Sequence, residues 1–130
     1  MIKTKSVYSP IKPRKDGLRI LITWFRGRGM STSRYDVWMA NLGPSEQLLE
    51  EVQTGKIGWS EFSRRYREEL FESGTIDKRS ETIKNHGQNF TLRLLQALGR
   101  QGTVTLTCHC AEDQARCHRH LLRTILEGKI

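Results

Sequence analysis

Two short β-forming runs, separated by most of the chain, constrain the fold more than any other feature. Residues 18–24 form an apolar run that follows an Asp16-Gly17 turn, and residues 103–108 alternate between apolar and polar side chains. Both patterns are typical of strands. A weaker alternation over residues 2–8 predicts an edge strand. Helical patterns occupy the segment between the two main runs, so the sequence favours a mixed domain over an all-β or all-α one.

The clearest helical pattern covers residues 59–71. Trp59, Phe62, Tyr66 and Leu70 recur at spacings that place them on one helical face, and we expect that face to pack into the core. A shorter helix is predicted to begin after Ser45, whose side chain can cap it, and to end before Gly55.

Two further helices are predicted from apolar spacing. Between residues 76 and 98 the apolar positions keep to one face, which predicts either one long helix ending at Gly99 or two helices that meet near His86. The last helix is predicted to follow Asp113, a natural N-cap, and to end at Gly128.

The order strand, helices, strand, helix predicts one α/β domain over residues 1–130, with a small, mostly parallel sheet flanked by helices. No apolar run is long enough for a membrane span or a signal peptide, and the cysteine count of three is odd. We therefore expect a cytoplasmic protein with reduced thiols and no membrane partner. The net charge of +8 and the pI near 9.8 favour an anionic partner, either a small molecule or a nucleic acid.

All three cysteines and three of the four histidines fall within residues 108–120. A strand ending near Cys108 and a helix capped by Asp113 would place Cys110 just before a helix N-terminus, where partial positive charge lowers the pKa of a thiol. If the two main strands are parallel, the loop with Arg26 and Arg28 leaves the sheet at the same edge. Open α/β sheets bind ligands at that edge.

Three interpretations of this segment stay open. The first is phosphoryl chemistry, because His109-Cys110, five residues and Arg116 have the spacing of cysteine phosphatases. Such a cradle normally contains glycine, whereas this one contains Glu112 and Asp113, whose charges would repel a phosphate.

The second interpretation is a zinc site, for which the candidate ligands are Cys108, Cys110, Cys117, His118 and His120. The sequence requires no cofactor, and the ligand intervals do not match a paired zinc ribbon, so we expect less than stoichiometric zinc. The third interpretation is structural, with buried cysteines and a satisfied core histidine. Six such residues in thirteen positions favour a site over packing alone.

The chain also resembles the family called domain of unknown function 488, especially its short YeaO-like members. A signature W-x-x-F-x-R-R-Y-x-x-E-L is matched from Trp59 to Leu70, and the pattern C-A-E-D followed by C-H-R is matched from Cys110 to Arg119. The resemblance implies a compact α/β fold with the second pattern on a strand-loop-helix corner. It implies no agreed activity.

We therefore predict a site that binds a small anionic, phosphate-bearing ligand, with Cys110 as a reactive thiolate and His118 as an acid–base or orienting group. The other residues assigned to ligand binding are Arg26, Arg28, Glu112, Arg116, Cys117 and Arg119. The alternative is a non-enzymatic, basic nucleic-acid-binding protein in which the cysteine segment is structural or carries zinc. The sequence leaves open whether the protein is an enzyme.

Overall fold

The computed structural model describes residues 1–72, 74–75, 84–85 and 88–130. Within these ranges no helix is both long and apolar enough to cross a membrane. The helices and strands, in chain order, are β1 (Ile2–Ser6), α1 (Pro13–Asp16), β2 (Leu18–Leu21), β3 (Val37–Trp38), α2 (Glu46–Gln53), α3 (Trp59–Phe71), β4 (Gly74–Thr75), β5 (Lys84–Asn85), α4 (Asn89–Gln101), β6 (Val104–Cys108) and α5 (His118–Glu127).

The main sheet contains four strands in the order β1-β6-β2-β3, and every neighbouring pair is parallel. Val104 of β6 pairs with Ile2 of β1 on one side and with Leu18 of β2 on the other. The α/β class, the parallel sheet and the adjacency of the two main strands are thus confirmed, as is the edge position of β1. All five residues of β6 are buried, as expected for the central strand of a parallel sheet.

Alternation along the strands gives the sheet one apolar and one largely polar face. Ile20 and Leu106 lie in the main core with side chains from α2, α3, α4 and α5. On the other face Thr105 and Thr107 are buried, and their hydroxyl groups donate to the carbonyls of Asp16 (2.6 Å) and Ile20 (3.2 Å). The hydrogen bonds let a polar face be buried without unpaired groups.

The predicted core face of α3 is confirmed. Phe62, Tyr66 and Leu70 are buried, and Trp59 packs against the same core while remaining partly exposed. The predicted cap of α2 is also present, because the Ser45 hydroxyl accepts a hydrogen bond from the backbone N–H of Leu48.

The predicted end of α4 at Gly99 is wrong. The helix continues through Gly99 to Gln101, and Gly99 is buried because Ile2 of β1 packs against it. A Cβ atom at Gly99 would lie 2.5 Å from Ile2 Cδ1, so the glycine permits close approach of the helix to the strand. The buried face contains Leu92 and Leu95.

A continuous helix from residue 76 is excluded by β5, which pairs antiparallel with β4. The predicted break near His86 lies outside the described residues. Phe90 and Leu94, two of the apolar positions between residues 76 and 98, are exposed in α4.

The predicted start of the last helix is also wrong. The residue at the N-cap position of α5 is Cys117, whose side chain makes no capping hydrogen bond. Asp113 is exposed in the preceding loop of residues 109–116. Cys110 therefore does not directly precede a helix in the chain, and any effect on its thiol must come from contacts in space.

Candidate functional site

The three cysteine sulfurs meet at the carboxyl end of β6. Alternation points Cys108 and Cys110 to the helix-covered face, where Cys117 at the start of α5 joins them. The three Sγ atoms lie within 4.8 Å of one another, and Cys108 Sγ is 3.0 Å from Cys117 Sγ. We call this group, with the loop of residues 109–116, the cysteine corner.

Only one thiol of the cysteine corner is accessible. Cys108 and Cys117 are 1% and 2% exposed, whereas Cys110 is half-buried. A reagent or ligand that approaches the cluster therefore meets Cys110 first.

Cys110 lines a cavity of about 390 Å³ between the cysteine corner and the helices α2 and α3. Gln114, Arg116, Cys117 and His118 line the same side. The opposite wall is mainly apolar and consists of Leu49, Val52, Ile57, Trp59 and Phe62. Among the described lining residues neither Glu112 nor Asp113 occurs, so their charges do not face this space.

Arg119 lies fully buried behind the thiols. Its Nη1 donates to Cys108 Sγ at 3.0 Å, and its two terminal nitrogens donate to the carbonyls of Cys110, Ala111 and Glu112. The guanidinium therefore holds the loop in place and brings a positive charge to the sulfurs. Its Nε atom is buried with no hydrogen-bond partner among the described residues.

These contacts shift the pKa values of Cys110 and Cys117 in opposite directions. Hydrogen bonds from Cys108 and then Cys117, with the charge of Arg119, lower the pKa of Cys110 to about 3 against the opposing effect of burial. Hydrogen bonding within the cluster and burial raise the pKa of Cys117. The pKa of Cys110 is thus lowered by neighbouring thiols and a guanidinium rather than by the helix N-terminus expected from the sequence.

His118 occupies a fixed, buried position. Its Nε2–H donates to the carbonyl of Ile22 at 2.5 Å, and its ring meets Tyr66 edge to face. Burial lowers the pKa of His118 and so favours the neutral ring, whose Nδ1 lies 3.9 Å from Cys117 Sγ. This geometry suits an acceptor that orients the Cys117 thiol.

The remaining polar residues of the segment point elsewhere. Glu112 accepts a hydrogen bond from the Ser9 hydroxyl, and its carboxylate lies 4.0 Å from Arg119. His120 Nε2 donates to the carbonyl of Gln114, and this ring is not part of the sulfur cluster.

The loop after β2 does reach the end of β6, as the parallel arrangement predicts. Phe25 stacks on His109 with ring centroids 5.0 Å apart, and Gly27 also packs against the His109 ring. None of Phe25, Gly27 and His109 lines the cavity beside Cys110. Arg26 and Arg28 are exposed in this loop, and no described contact joins them to the cavity.

Sequence reasoning missed the burial of Arg119 and the apolar wall opposite Cys110. The first had a signal, because Arg119 shares a helical face with Leu122 and Leu126, both buried. An arginine on an otherwise apolar helical face is expected to be buried together with groups that pair with its guanidinium. The second had none, because the wall comes from helices that only the tertiary fold brings to the cysteine corner.

Comparison with known proteins gives a family match over almost the whole chain. The family model described as "DUF488-N3a: Active DUF488-N3 subclade" matches residues 2–129. Uncharacterized proteins of Mycobacterium bovis and Mycobacterium tuberculosis are each 28% identical to the chain over 130 residues, which cover 98% of the chain and 95% of each relative. No solved structure matches the chain.

Proposed function

We propose that this chain, which belongs to the DUF488-N3a family, uses Cys110 as a nucleophile toward a small phosphate-bearing molecule bound in the cavity beside it. The observation that carries the proposal is the position of Cys110. It is the accessible member of a cluster of three thiols, and it opens into a cavity that Arg116 also lines.

The composition of the cavity suggests the substrate class. Arg116 offers a positive charge to a phosphate, while the wall with Trp59 and Phe62 offers contact to an apolar or aromatic body. A monophosphate ester of an apolar alcohol or phenol has both parts. The carboxylate of Glu112, which the sequence suggested would repel a phosphate, is turned toward Ser9.

The reaction follows from these groups. The Cys110 thiolate attacks phosphorus, and an Sγ–P bond forms while the P–O bond to the leaving group breaks. The leaving oxygen keeps the electron pair and takes a proton from water. A second water then attacks phosphorus, and the Sγ–P bond breaks with its electron pair returning to Cys110 as thiolate. The hydroxide left by the first water takes the proton that the attacking water loses, and inorganic phosphate leaves.

Two buried residues position the nucleophile in this scheme. Arg119 fixes the loop that carries Cys110 and supports the thiolate charge. His118, anchored on the Ile22 carbonyl, orients Cys117, whose sulfur lies within 4.8 Å of the nucleophile. Of the two roles predicted for His118, the geometry favours the orienting one.

Alkylation of the native protein with iodoacetamide, resolved by residue with mass spectrometry, tests the nucleophile. We expect Cys110 to label faster at pH 7 than a cysteine in an unfolded peptide, and with little change between pH 5 and 8. Cys108 and Cys117 serve as internal buried controls. Labelling of Cys110 no faster than the unfolded peptide, or slower than Cys117, would contradict the assignment.

Hydrolysis of p-nitrophenyl phosphate tests the substrate class. We expect turnover that is abolished in Cys110→Ser and reduced at least about tenfold in Arg116→Ala, and unchanged in the matched control Arg123→Ala on the exposed side of α5. Absence of turnover, together with no protection of Cys110 from alkylation by this ester, would contradict the phosphate part of the proposal.

A zinc-bearing cysteine corner is the second candidate, favoured by the three sulfurs within 4.8 Å. Three thiolates can hold zinc with a fourth position toward the cavity. We expect less than one zinc per chain by elemental analysis. The Sγ atoms of Cys108 and Cys117 are 3.0 Å apart, which is closer than the sulfurs of two cysteines bound to one zinc ion. In addition, Cys108 Sγ already accepts a hydrogen bond from Arg119. One tightly held zinc per chain, lost together with folding on chelation, would favour the zinc-bearing, non-enzymatic alternative.

A further inference from the structure

We propose that a second site, which shares no residue with the lining of the cavity, binds single-stranded nucleic acid by base stacking. It consists of Tyr8, Trp24, Phe25 and His109, which we call the aromatic surface. The end of β1, the loop after β2 and the end of β6 contribute these residues. Of the four, only His109 belonged to a site predicted from the sequence, as part of the phosphatase-like spacing.

The rings of the aromatic surface form a continuous series. Tyr8 lies 6.0 Å from His109 between ring centroids, His109 stacks on Phe25 at 5.0 Å, and Phe25 meets Trp24 edge to face at 4.9 Å. The Tyr8 hydroxyl also lies 3.3 Å from His109 Nδ1. These contacts hold the side chains in place before a ligand binds, which lowers the entropic cost of binding.

These rings are exposed to solvent rather than packed in the core. Tyr8 is 61% exposed, Trp24 38% and Phe25 39%. Contiguous exposed aromatic side chains mark interaction sites more often than isolated ones do. Unpaired bases offer flat faces to such rings, whereas the bases of a duplex are already stacked on one another.

The charges around the rings favour a polyanion. Arg26 directly follows Phe25, Arg28 comes two residues later, and both are exposed. Arg34 donates to the carbonyl of Ser9, next to Tyr8. No acidic residue occurs between Gly17 and Tyr35. Glu112 contacts the Ser9 hydroxyl, and its carboxylate also lies 4.0 Å from the guanidinium of Arg119.

Arginines beside exposed rings are the combination that binds the backbone and the bases of a single strand. A protein partner with an acidic, aromatic-binding segment would be a different class of ligand, and the experiment below distinguishes it from single-stranded nucleic acid. This inference does not depend on the proposed thiol chemistry, because none of the four rings lines the cavity beside Cys110.

The test is a titration of the full chain with fluorescein-labelled fifteen-nucleotide oligo-dT, measured by anisotropy at several salt concentrations. We expect saturable binding at low salt, and weaker binding to a duplex of equal length. Trp24→Ala and Phe25→Ala should each weaken binding at least about fivefold, the lower end for loss of one stacked base. Circular dichroism verifies that these exposed substitutions leave the fold intact.

Charge is tested by the double variant Arg26→Ala/Arg28→Ala. The slope of log affinity against log salt should fall in magnitude by up to about 1.4, because each contact with a single strand contributes about 0.7. The matched control is Arg93→Ala/Arg100→Ala, which removes the same charge from the exposed side of α4 and should change the slope much less.

Several outcomes would overturn the inference. They are no saturable binding at low salt, equal affinity for the duplex, and ring variants that bind as tightly as the native chain. Cys110→Ser should bind oligo-dT normally, and Phe25→Ala should keep the alkylation rate of Cys110. Loss of one property without the other therefore shows which of the two proposals has failed.

Discussion

Asp16 and Arg119 are both buried charges, but they are balanced in different ways. Asp16 lies at the amino end of β2, and both carboxylate oxygens are 3.0 Å from Lys5 Nζ while one accepts the Lys12 backbone N–H at 2.8 Å. Arg119 lies at the opposite end of the strands, beside the carboxyl end of β6. Its hydrogen bonds go to Cys108 Sγ and to backbone carbonyls, and Glu112 is 4.0 Å away and mostly exposed.

The difference distinguishes a structural charge from one suited to chemistry. A carboxylate with a full countercharge and satisfied oxygens gains nothing from a ligand. A buried guanidinium whose nearest anionic group is a cluster of sulfurs favours ionisation of that cluster. The cost of burying a charge is therefore offset by a countercharge at the amino end of β2, and by sulfur and backbone carbonyls at the carboxyl end of β6.

The largest effect in this comparison is expected for Arg119→Met. The loop carbonyls of Cys110 and Ala111 lose their donor, so the free energy of unfolding should fall by about 3 kcal/mol. The pKa of Cys110 should rise, because the charge that supports its thiolate is gone. Urea unfolding and the pH profile of alkylation measure the two effects, and the exposed Arg123→Met is the control. An unchanged profile would mean that Arg119 does not act on the thiol.

A smaller loss, about 2 kcal/mol at pH 7, is expected for Asp16→Asn. Burial opposes ionisation of Asp16, but the Lys12 N–H and Lys5 outweigh it and lower its folded pKa. The contribution of this carboxylate is therefore complete above its unfolded pKa and is lost as the pH falls through the folded one.

The difference in stability between the native chain and Asp16→Asn should accordingly shrink as the pH falls from about 5 towards 2. Urea unfolding across this range measures it, with the exposed Asp113→Asn as control. A difference that stays constant with pH would show that the Lys5 pair does not depend on the charge of Asp16.

Cys108→Ala should cost about 1 kcal/mol, because Nη1 of Arg119 loses the sulfur that accepts its hydrogen bond. Loss of the Cys108 thiol should also raise the pKa of Cys110, for which it is the leading cause of lowering. The alkylation rate of Cys110 at pH 5 reports the second effect. A rate equal to that of the native chain would mean that groups other than Cys108 stabilise the Cys110 thiolate.

The smallest effect is expected for Glu112→Gln. Its carboxylate is mostly exposed and 4.0 Å from Arg119, so the loss of charge should change the free energy of unfolding by less than about 0.5 kcal/mol. The alkylation profile of Cys110 should not move. A destabilisation approaching that of Arg119→Met would make Glu112 the true countercharge and would remove the contrast with Asp16.

Local patterns predicted the elements that packing on one face defines. The β2 and β6 runs, the core face of α3 and the Ser45 cap could be read from the sequence because each depends on neighbouring residues. The apolar spacing of α4 misled, since Gly99 is a contact with Ile2 rather than a helix end. That contact joins residues far apart in the chain.

The start of α5 could not be predicted for the same reason. Asp113 has a good capping side chain, but Arg119 donates to the carbonyls of Cys110, Ala111 and Glu112. These contacts hold residues 109–116 as a loop and delay the helix to His118. The clustering of the cysteines was therefore predictable, whereas the cause of the thiolate was not.

The central position of β6 also determines when the molecule can fold. β1 and β2 are not paired with each other, and both pair with β6, which follows them in the chain. During synthesis the two earlier strands must wait for this partner, and closing such distant pairs is slow. A chain synthesised only as far as β2 therefore lacks the strand that joins the two, as well as Arg119 and the three thiols.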